Sequence, residues 1–158
     1  KPLKSKGRPL RRPFHFVETR SNWTLSILGH HMTSQKLIIT NHYRLRQDAS
    51  AFRTAISALV ARVEKEGHRG VLAYRFYVIE TENCARGIIE YENPEGWIGH
   101  HEVSMGWDEM KALHSVASLA HVTFHGPVNQ AILDWINGST LSATLDTGND
   151  FVAGFERD

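Results

Sequence analysis

Asn41 stands at an alternate position in a row of larger apolar side chains, Leu37, Ile39, Tyr43 and Leu45. A buried amide without partners costs roughly 1–3 kcal/mol, so this one must bond to neighbouring backbone, to water at an interface, or to the oxygen of a ligand. Further along, Trp97 is followed by His100 and His101. On a helix those i, i+3 and i, i+4 spacings set an indole beside an imidazole. An imidazole that titrates near neutral pH can take the proton of an acidic hydroxyl. His114, one residue off an apolar stripe of Met110, Leu113 and Ala117, is a further candidate. Tyr43, Tyr74, Tyr77 and Tyr91 offer hydroxyls from three strand-like runs, and Tyr43 shares the Asn41 face.

Ten histidines raise the question of a metal, and their spacing answers it. His121 and His125 read as strand residues, which sets them about 13 Å apart. Adjacent His100 and His101 diverge on a helix. The one cysteine, Cys84, excludes a cysteine cluster and an internal disulfide. The expectation is therefore no metal. No G-x-S-x-G, Ser–His–Asp order or glycine-dense phosphate loop stands out. Arg75 could neutralise a ligand anion or pair with Glu90, and the pairing is the favoured reading.

Positioning these groups requires a scaffold, and the periodicities supply one. Residues 36–46 alternate with period two and read as a strand. Asp48 caps a helix over Ala49–Glu66, with Phe52, Ala55, Ile56, Leu59, Val60 and Val63 as its apolar stripe and Gly67 as its C′ glycine. Val71–Glu80 is a strand, Glu82-Asn83 a turn, and Cys84–Glu92 a third strand. Asn93-Pro94 opens a helix carrying Trp97, and a second helical stretch covers Asp108–Leu119. His121–Gly126 is a fourth strand. A short helix follows Pro127 and stops at Gly138. An alternating run over Thr140–Leu145 and a strand-like Phe151–Glu156 complete the chain. The order β-α-β-β-α-β is the ferredoxin-like unit of an α+β protein, here with a C-terminal helix and an extra strand.

The chain has 158 residues, with 18 Lys+Arg against 17 Asp+Glu. Residues 1–31 hold seven bases and one acid, and residues 32–158 hold 11 bases and 16 acids. The expected division is a flexible basic extension over 1–34 and a folded domain over 35–158. The extension reads either as an arm for nucleic acid, an anionic membrane or targeting, or as a tail upstream of a natural start at Met32. The acidic body has no electrostatic case for nucleic acid. No apolar run is long enough to span a membrane or serve as a secretory core, and a cytoplasmic location is the expectation. The second strand is apolar on both faces: Val71, Ala73, Tyr77 and Ile79 on one, Leu72, Tyr74, Phe76 and Val78 on the other. A sheet covered by helices on one side only would then leave a bare apolar face, which predicts association with a second copy.

The body resembles the antibiotic biosynthesis monooxygenase-like family of the dimeric α+β barrel superfamily over roughly residues 36–156. The likeness rests on the element order and on the helix ending Glu66-Gly67 before the second strand. It rests also on the run Glu90-Tyr91-Glu92-Asn93-Pro94-Glu95-Gly96-Trp97-Ile98-Gly99-His100 and on the tail Ala153-Gly154-Phe155-Glu156-Arg157. Gly96 stands where the family usually has alanine. The resemblance implies a homodimer whose two sheets face each other across a barrel. It implies a pocket between sheet and helices for a phenolic or quinol-like molecule, and monooxygenation without metal or flavin. By that likeness Asn41, Trp97, His101 and His100 are the catalytic candidates, and Tyr43, Tyr77 and His114 the substrate-binding ones. The implied partners are a second copy and a small aromatic ligand, with neither nucleic acid nor membrane for the body. Two alternatives remain: a non-catalytic small-ligand-binding or stress-related dimer, and a heme-binding or heme-degrading member in which the histidine meets iron.

Overall fold

A computed structural model describes residues 36–155 and Arg157, so the expected extension over 1–34 lies outside the described residues. The alternating run forms β1 (Leu37–Leu45), with Leu37, Ile39, Tyr43 and Leu45 buried. Asp48 caps α1 (Ala49–Glu66), its carboxylate accepting from the Ala51 amide at 2.8 Å. Gly67 ends α1 for a different reason from the one expected. Its φ is −72°, ordinary extended backbone, so no left-handed turn selects glycine. A Cβ there would collide with the Val63 carbonyl oxygen, the acceptor of the Gly67 amide at 2.9 Å.

β2 (Val71–Ile79) and β3 (Cys84–Tyr91) form a hairpin through a short 3₁₀ turn and Asn83, which takes the left-handed conformation at φ 50°. α2 (Pro94–Ser104) and α3 (Asp108–Val116) precede β4 (Ala117–His125). α4 (Gln130–Gly138) leads to β5 (Thr144–Asn149). The sheet order is β2-β3-β1-β4-β5, with β5 parallel to β4 and every other pair antiparallel. This is the expected ferredoxin-like βαββαβ arrangement with its added helix and strand. The buried residues of the four helices all pack on one face of the sheet. α1 and α3 meet Tyr43, Leu45 and Ala85, whereas α2 and α4 meet Leu37, Ile39, Ile89 and Phe124.

Four expectations need correction. The helix expected to reach Leu119 ends at Val116, and β4 begins at Ala117 rather than His121. The ladder with β1 imposes this: Leu45, Arg44 and Tyr43 pair with Ala117, Ser118 and Leu119, and the register shifts before His121 meets His42. The last strand is Thr144–Asn149, a polar edge strand: of the alternating run Thr140–Leu145 only Thr144 and Leu145 join the sheet, opposite His121 and Val122, and Phe151–Phe155 forms no strand. Val71 does not share a face with Ala73, because the β2–β3 register shifts between them. The bare sheet face is also less apolar than β2 alone implied. Opposite the helices, the pairing ladders line up Ile38, Thr40, His42, Arg86, Ile88, Glu90, His121 and Thr123, with Arg75 bonded to Glu90 at 2.6 Å as favoured.

One close approach sets where α2 sits. A Cβ on Gly70 would lie 2.7 Å from the Gly96 α-carbon, and one on Gly96 would lie 3.0 Å from the Gly70 carbonyl oxygen. Backbone touches backbone here, which explains a glycine at 96. Asn93 caps the same helix, its side chain accepting from the Gly96 amide at 2.9 Å. Asn129 caps α4, accepting from Ile132, and its amide donates to Glu95 of α2 at 3.3 Å. Gly70→Ala is therefore expected to destabilise the protein by about 1–3 kcal/mol in urea denaturation. Gly106→Ala, whose Cβ would meet nothing within 4 Å, is expected to stay within about 0.5 kcal/mol.

Candidate functional site

Between the helix-covered face of the sheet and α2, α3 and α4 lies a cavity of about 300 Å³. Its floor is the inward row of the central strands: Ile39, Asn41 and Tyr43 from β1, Ile89 and Tyr91 from β3, Val122 and Phe124 from β4. Trp97, His100 and His101 of α2 and Trp135 of α4 form one wall, and Met110 and His114 of α3 another. Arg46 and His114, both exposed, stand at the rim. The volume lies at the lower end of the range for small-molecule sites, and the predominantly aromatic lining is of their usual kind.

The period-two rule that built β1 points Asn41 into this cavity. Its Nδ2 donates to the Tyr43 hydroxyl at 3.1 Å, and no other hydrogen bond of the Asn41 side chain is seen among the described residues. The amide is thus partnered by a side chain two residues on, and its carbonyl oxygen stays available. Because the Tyr43 oxygen accepts from Asn41, its own O–H is free to donate elsewhere. Burial raises the Tyr43 phenol to about 12, with the Asn41 bond opposing, so it remains a protonated donor at neutral pH. Burial likewise holds Tyr74 and Tyr91 well above the ordinary phenol value.

α2 delivers the aromatic and imidazole groups together. The His101 ring lies over the Trp97 indole at 4.0 Å between centroids, tilted by 34°, and Trp135 meets both edge-on at 5.0 and 5.1 Å. His101 Nδ1 lies 2.8 Å from the Trp97 carbonyl oxygen. A carbonyl can only accept, so Nδ1 carries the hydrogen and Nε2 keeps its lone pair. Burial lowers the His101 pKa to about 4, against a raising effect of that carbonyl bond. His100 is buried, with Nδ1 lacking any hydrogen-bond partner. Burial, then the neighbouring His101 and His68, lower it to about 3. Both imidazoles are neutral at pH 7.

Six of the seven residues singled out in the sequence line this one cavity: Asn41, Tyr43, Trp97, His100, His101 and His114. Tyr77 does not. It pairs with Arg86 on the far face of the sheet and is 53% exposed, because Tyr74, Phe76 and Val78 are the β2 residues whose parity faces the helices. Tyr74, Tyr91, Phe124, Trp135 and Arg46 also line the cavity and were not singled out for it. Parity with Asn41 through the β1 ladders would have found Phe124, and the apolar stripe of α4 would have found Trp135. Among the described residues no cluster of three His, Cys, Asp or Glu could hold a metal ion. Cys84 is buried, and burial raises its thiol, so nothing activates it.

No protein-family model matches the sequence, and no curated protein does. Among solved structures the chain is similar to MupZ from Pseudomonas fluorescens, at 18% identity and a TM-score of 0.57 over 77% of this chain and 94% of that one. It is also similar to SnoaB, a cofactor-independent oxygenase from Streptomyces nogalater, at 8% identity and a TM-score of 0.52 over 61% of this chain and 96% of that one. The fold is accordingly the one MupZ and SnoaB share, the ferredoxin-like α+β type expected from the sequence. Identities this low speak to fold alone.

Histidines buried neutral bind protons more readily in the unfolded chain. Their contribution is complete above the ordinary histidine value near 6.5 and is lost as pH falls towards about 4. Between pH 7 and 5 the His101 share is about 2 kcal/mol. Urea melts at the two pH values should show the wild type losing stability on acidification, with His101→Gln losing about 2 kcal/mol less. An equal loss in both proteins would contradict the buried, neutral assignment.

Proposed function

We propose that the protein is a cofactor-independent monooxygenase acting on a phenolic or quinol-like molecule. The observation that carries this reading is the convergence of Asn41, Tyr43, Trp97, His100 and His101 on one aromatic-lined cavity. The cofactor-independent oxygenase named among its structural neighbours is consistent with it. The chemistry balances without a cofactor when the substrate supplies the electrons. An activated ring CH₂ and O₂ give a ketone and water, four electrons leaving the substrate.

Each step has a candidate group. His101 Nε2 takes the proton of the enol or phenol. The Asn41 amide and the Tyr43 hydroxyl donate to the oxyanion that forms, as donors placed for developing charge do. The carbanion gives its electrons to dioxygen, forming a C–O bond and a hydroperoxide that takes the proton back from His101. Loss of the remaining C–H proton then breaks the O–O bond and releases water. The weak basicity of His101 sets a limit on the substrate. Against an ordinary phenol near 10, its value of about 4 leaves a gap of about six units, or about 8 kcal/mol. A turnover of one per second allows a barrier of about 17 kcal/mol in all. The two donors must therefore offset much of that gap, or the substrate must be more acidic than phenol. The same weak basicity is the observation that favours a second reading, in which the cavity binds an aromatic ligand without turning it over.

Heme fits the residues poorly. The cavity is small for a tetrapyrrole, and Arg46 is the one permanent cation in its lining, where two propionates would call for two. A hemin titration is expected to leave the Soret band of free hemin unshifted.

The reading includes a homodimer in which the bare sheet faces of two copies meet. The Nη1 of Arg86, on that face, is buried without a hydrogen-bond partner among the described residues, which a partner's acceptor would answer. Light scattering after size exclusion should give twice the chain mass, and a clean monomer at micromolar concentration would rule the arrangement out.

Oxygen uptake with a panel of anthrones and hydroquinones tests the enzymatic reading. Asn41→Ala and Trp97→Phe should each lower kcat/KM about tenfold or more, while exposed Arg69→Ala leaves it unchanged. Tight binding of the panel without oxygen uptake would select the non-catalytic reading instead.

A further inference from the structure

We propose that the ligand of this cavity is an aromatic acid, its carboxylate held at the rim by Arg46 and a hydroxyl at its far end meeting the polar groups of the floor and of α2. The proposal rests on the reading of the cavity as an aromatic-ligand site and adds the charge, the length and the polarity of the ligand.

The charge comes from what the lining holds and what it leaves out. The body carries 16 acids against 11 bases, yet no Asp or Glu lines the cavity, and no Lys either. Arg46 is the sole formal charge there. The one hydrogen bond of its guanidinium among the described residues is a 3.3 Å bond from Nη1 to the His114 carbonyl oxygen. Three other arginines of the domain pair with carboxylates: Arg53 with Glu80 at 2.8 Å, Arg62 with Glu109 at 2.6 Å and Arg75 with Glu90 at 2.6 Å. A guanidinium left without a carboxylate beside an acid-free, aromatic cavity suits a ligand that brings the carboxylate, since the planar fork matches that group with paired hydrogen bonds.

The polarity of the far end comes from an independent observation. His100 is 2% exposed, lines the cavity and has a buried Nδ1 with no partner. The Asn41 carbonyl oxygen and the Tyr43 hydroxyl hydrogen also lack protein partners. A ligand hydroxyl, donor and acceptor at once, satisfies groups of both kinds. The length follows from β1: Asn41 to the strand's last residue, Leu45, spans roughly 13 Å of extended backbone, and Arg46 follows in the bend beyond its end. Shortened by the two side chains that reach across it, this span suits two or three fused rings with a hydroxyl and a carboxylate at opposite ends.

The test uses 6-hydroxy-2-naphthoate and its uncharged counterpart 6-hydroxy-2-naphthamide, titrated calorimetrically into the full chain at pH 7.5. The acid should bind at least about tenfold more tightly than the amide. Arg46→Ala and Arg46→Gln should each remove that preference while changing amide affinity less than about twofold, and retained amide binding shows that the variants are folded. Arg46→Glu should reverse the preference. Equal affinity of acid and amide for the wild type would overturn the anionic ligand and leave the aromatic cavity standing. A preference that survives Arg46→Ala would overturn the assignment to Arg46. Binding of neither compound would overturn both this proposal and the aromatic reading beneath it.

Discussion

The site depends on how closely α2 can approach the sheet. That distance is set where the backbones of Gly70 and Gly96 touch, with no side chain between them. The Gly70 carbonyl also accepts from the Glu92 amide at 2.8 Å, so the end of β3, the loop before β2 and the first turn of α2 are held as one unit. Trp97 is one residue beyond the contact, and His100 and His101 follow on the next turn. A helix raised by a methyl group would lift all three from the floor on which Asn41 and Tyr43 lie. At the other end of the domain, the Arg62 guanidinium lies 4.3 Å from the Trp107 ring centroid and bonds Glu109, tying α1 to α3 in the same way.

With the walls placed, the lining settles the electrostatics. Two histidines with no acid beside them stay neutral, because burial penalises the imidazolium more than the Trp97 carbonyl bond to His101 stabilises it. The His101 tautomer is fixed by the carbonyl one turn back, a consequence of helix geometry rather than of any second acidic residue. The floor contributes donors that burial keeps protonated. The cavity therefore presents donors below and lone pairs from the side, with a cation at its rim. That distribution is complementary to a hydroxylated aromatic molecule carrying negative charge.

Much of this was legible in the sequence where a single element imposes its own rule. α1 runs over the residues its cap and stripe specified, and the inward face of β1 is the alternate set that contains Asn41 and Tyr43. The pairing of Trp97 with the histidines needed only the helical repeat. What was not legible depends on neighbours. Ala117, Ser118, Leu119 and Ala120 have no strong strand preference and continue the helical stripe of Met110 and Leu113. The free edge of β1 turns them into strand. β5 is polar and lies at the sheet edge, where alternation is weakest. Tyr77 was grouped by residue type with the other tyrosines although its parity opposed Tyr74. The apolar character of β2 was extended to a whole face that β1, β3 and β4 supply with histidines and arginines.

Ser104 shows what the arrangement of α2 costs. It is fully buried, one helical turn beyond His100, and its hydroxyl has no partner among the described residues. With the unpartnered His100 Nδ1, it makes a second desolvated polar group on the same helix face, each worth roughly 1–3 kcal/mol if left unsatisfied. A face selected only for packing would carry alanine at such a position, since alanine has the higher helix propensity and no group to satisfy. Polar groups tolerated at this cost lie on the helix that brings Trp97 and His101 to the cavity, and on none of the other three helices does a buried side chain lack its hydrogen bond among the described residues. Of the two, His100 lines the cavity, where a ligand hydroxyl or an ordered water would relieve its Nδ1, as expected of a binding wall rather than of a core.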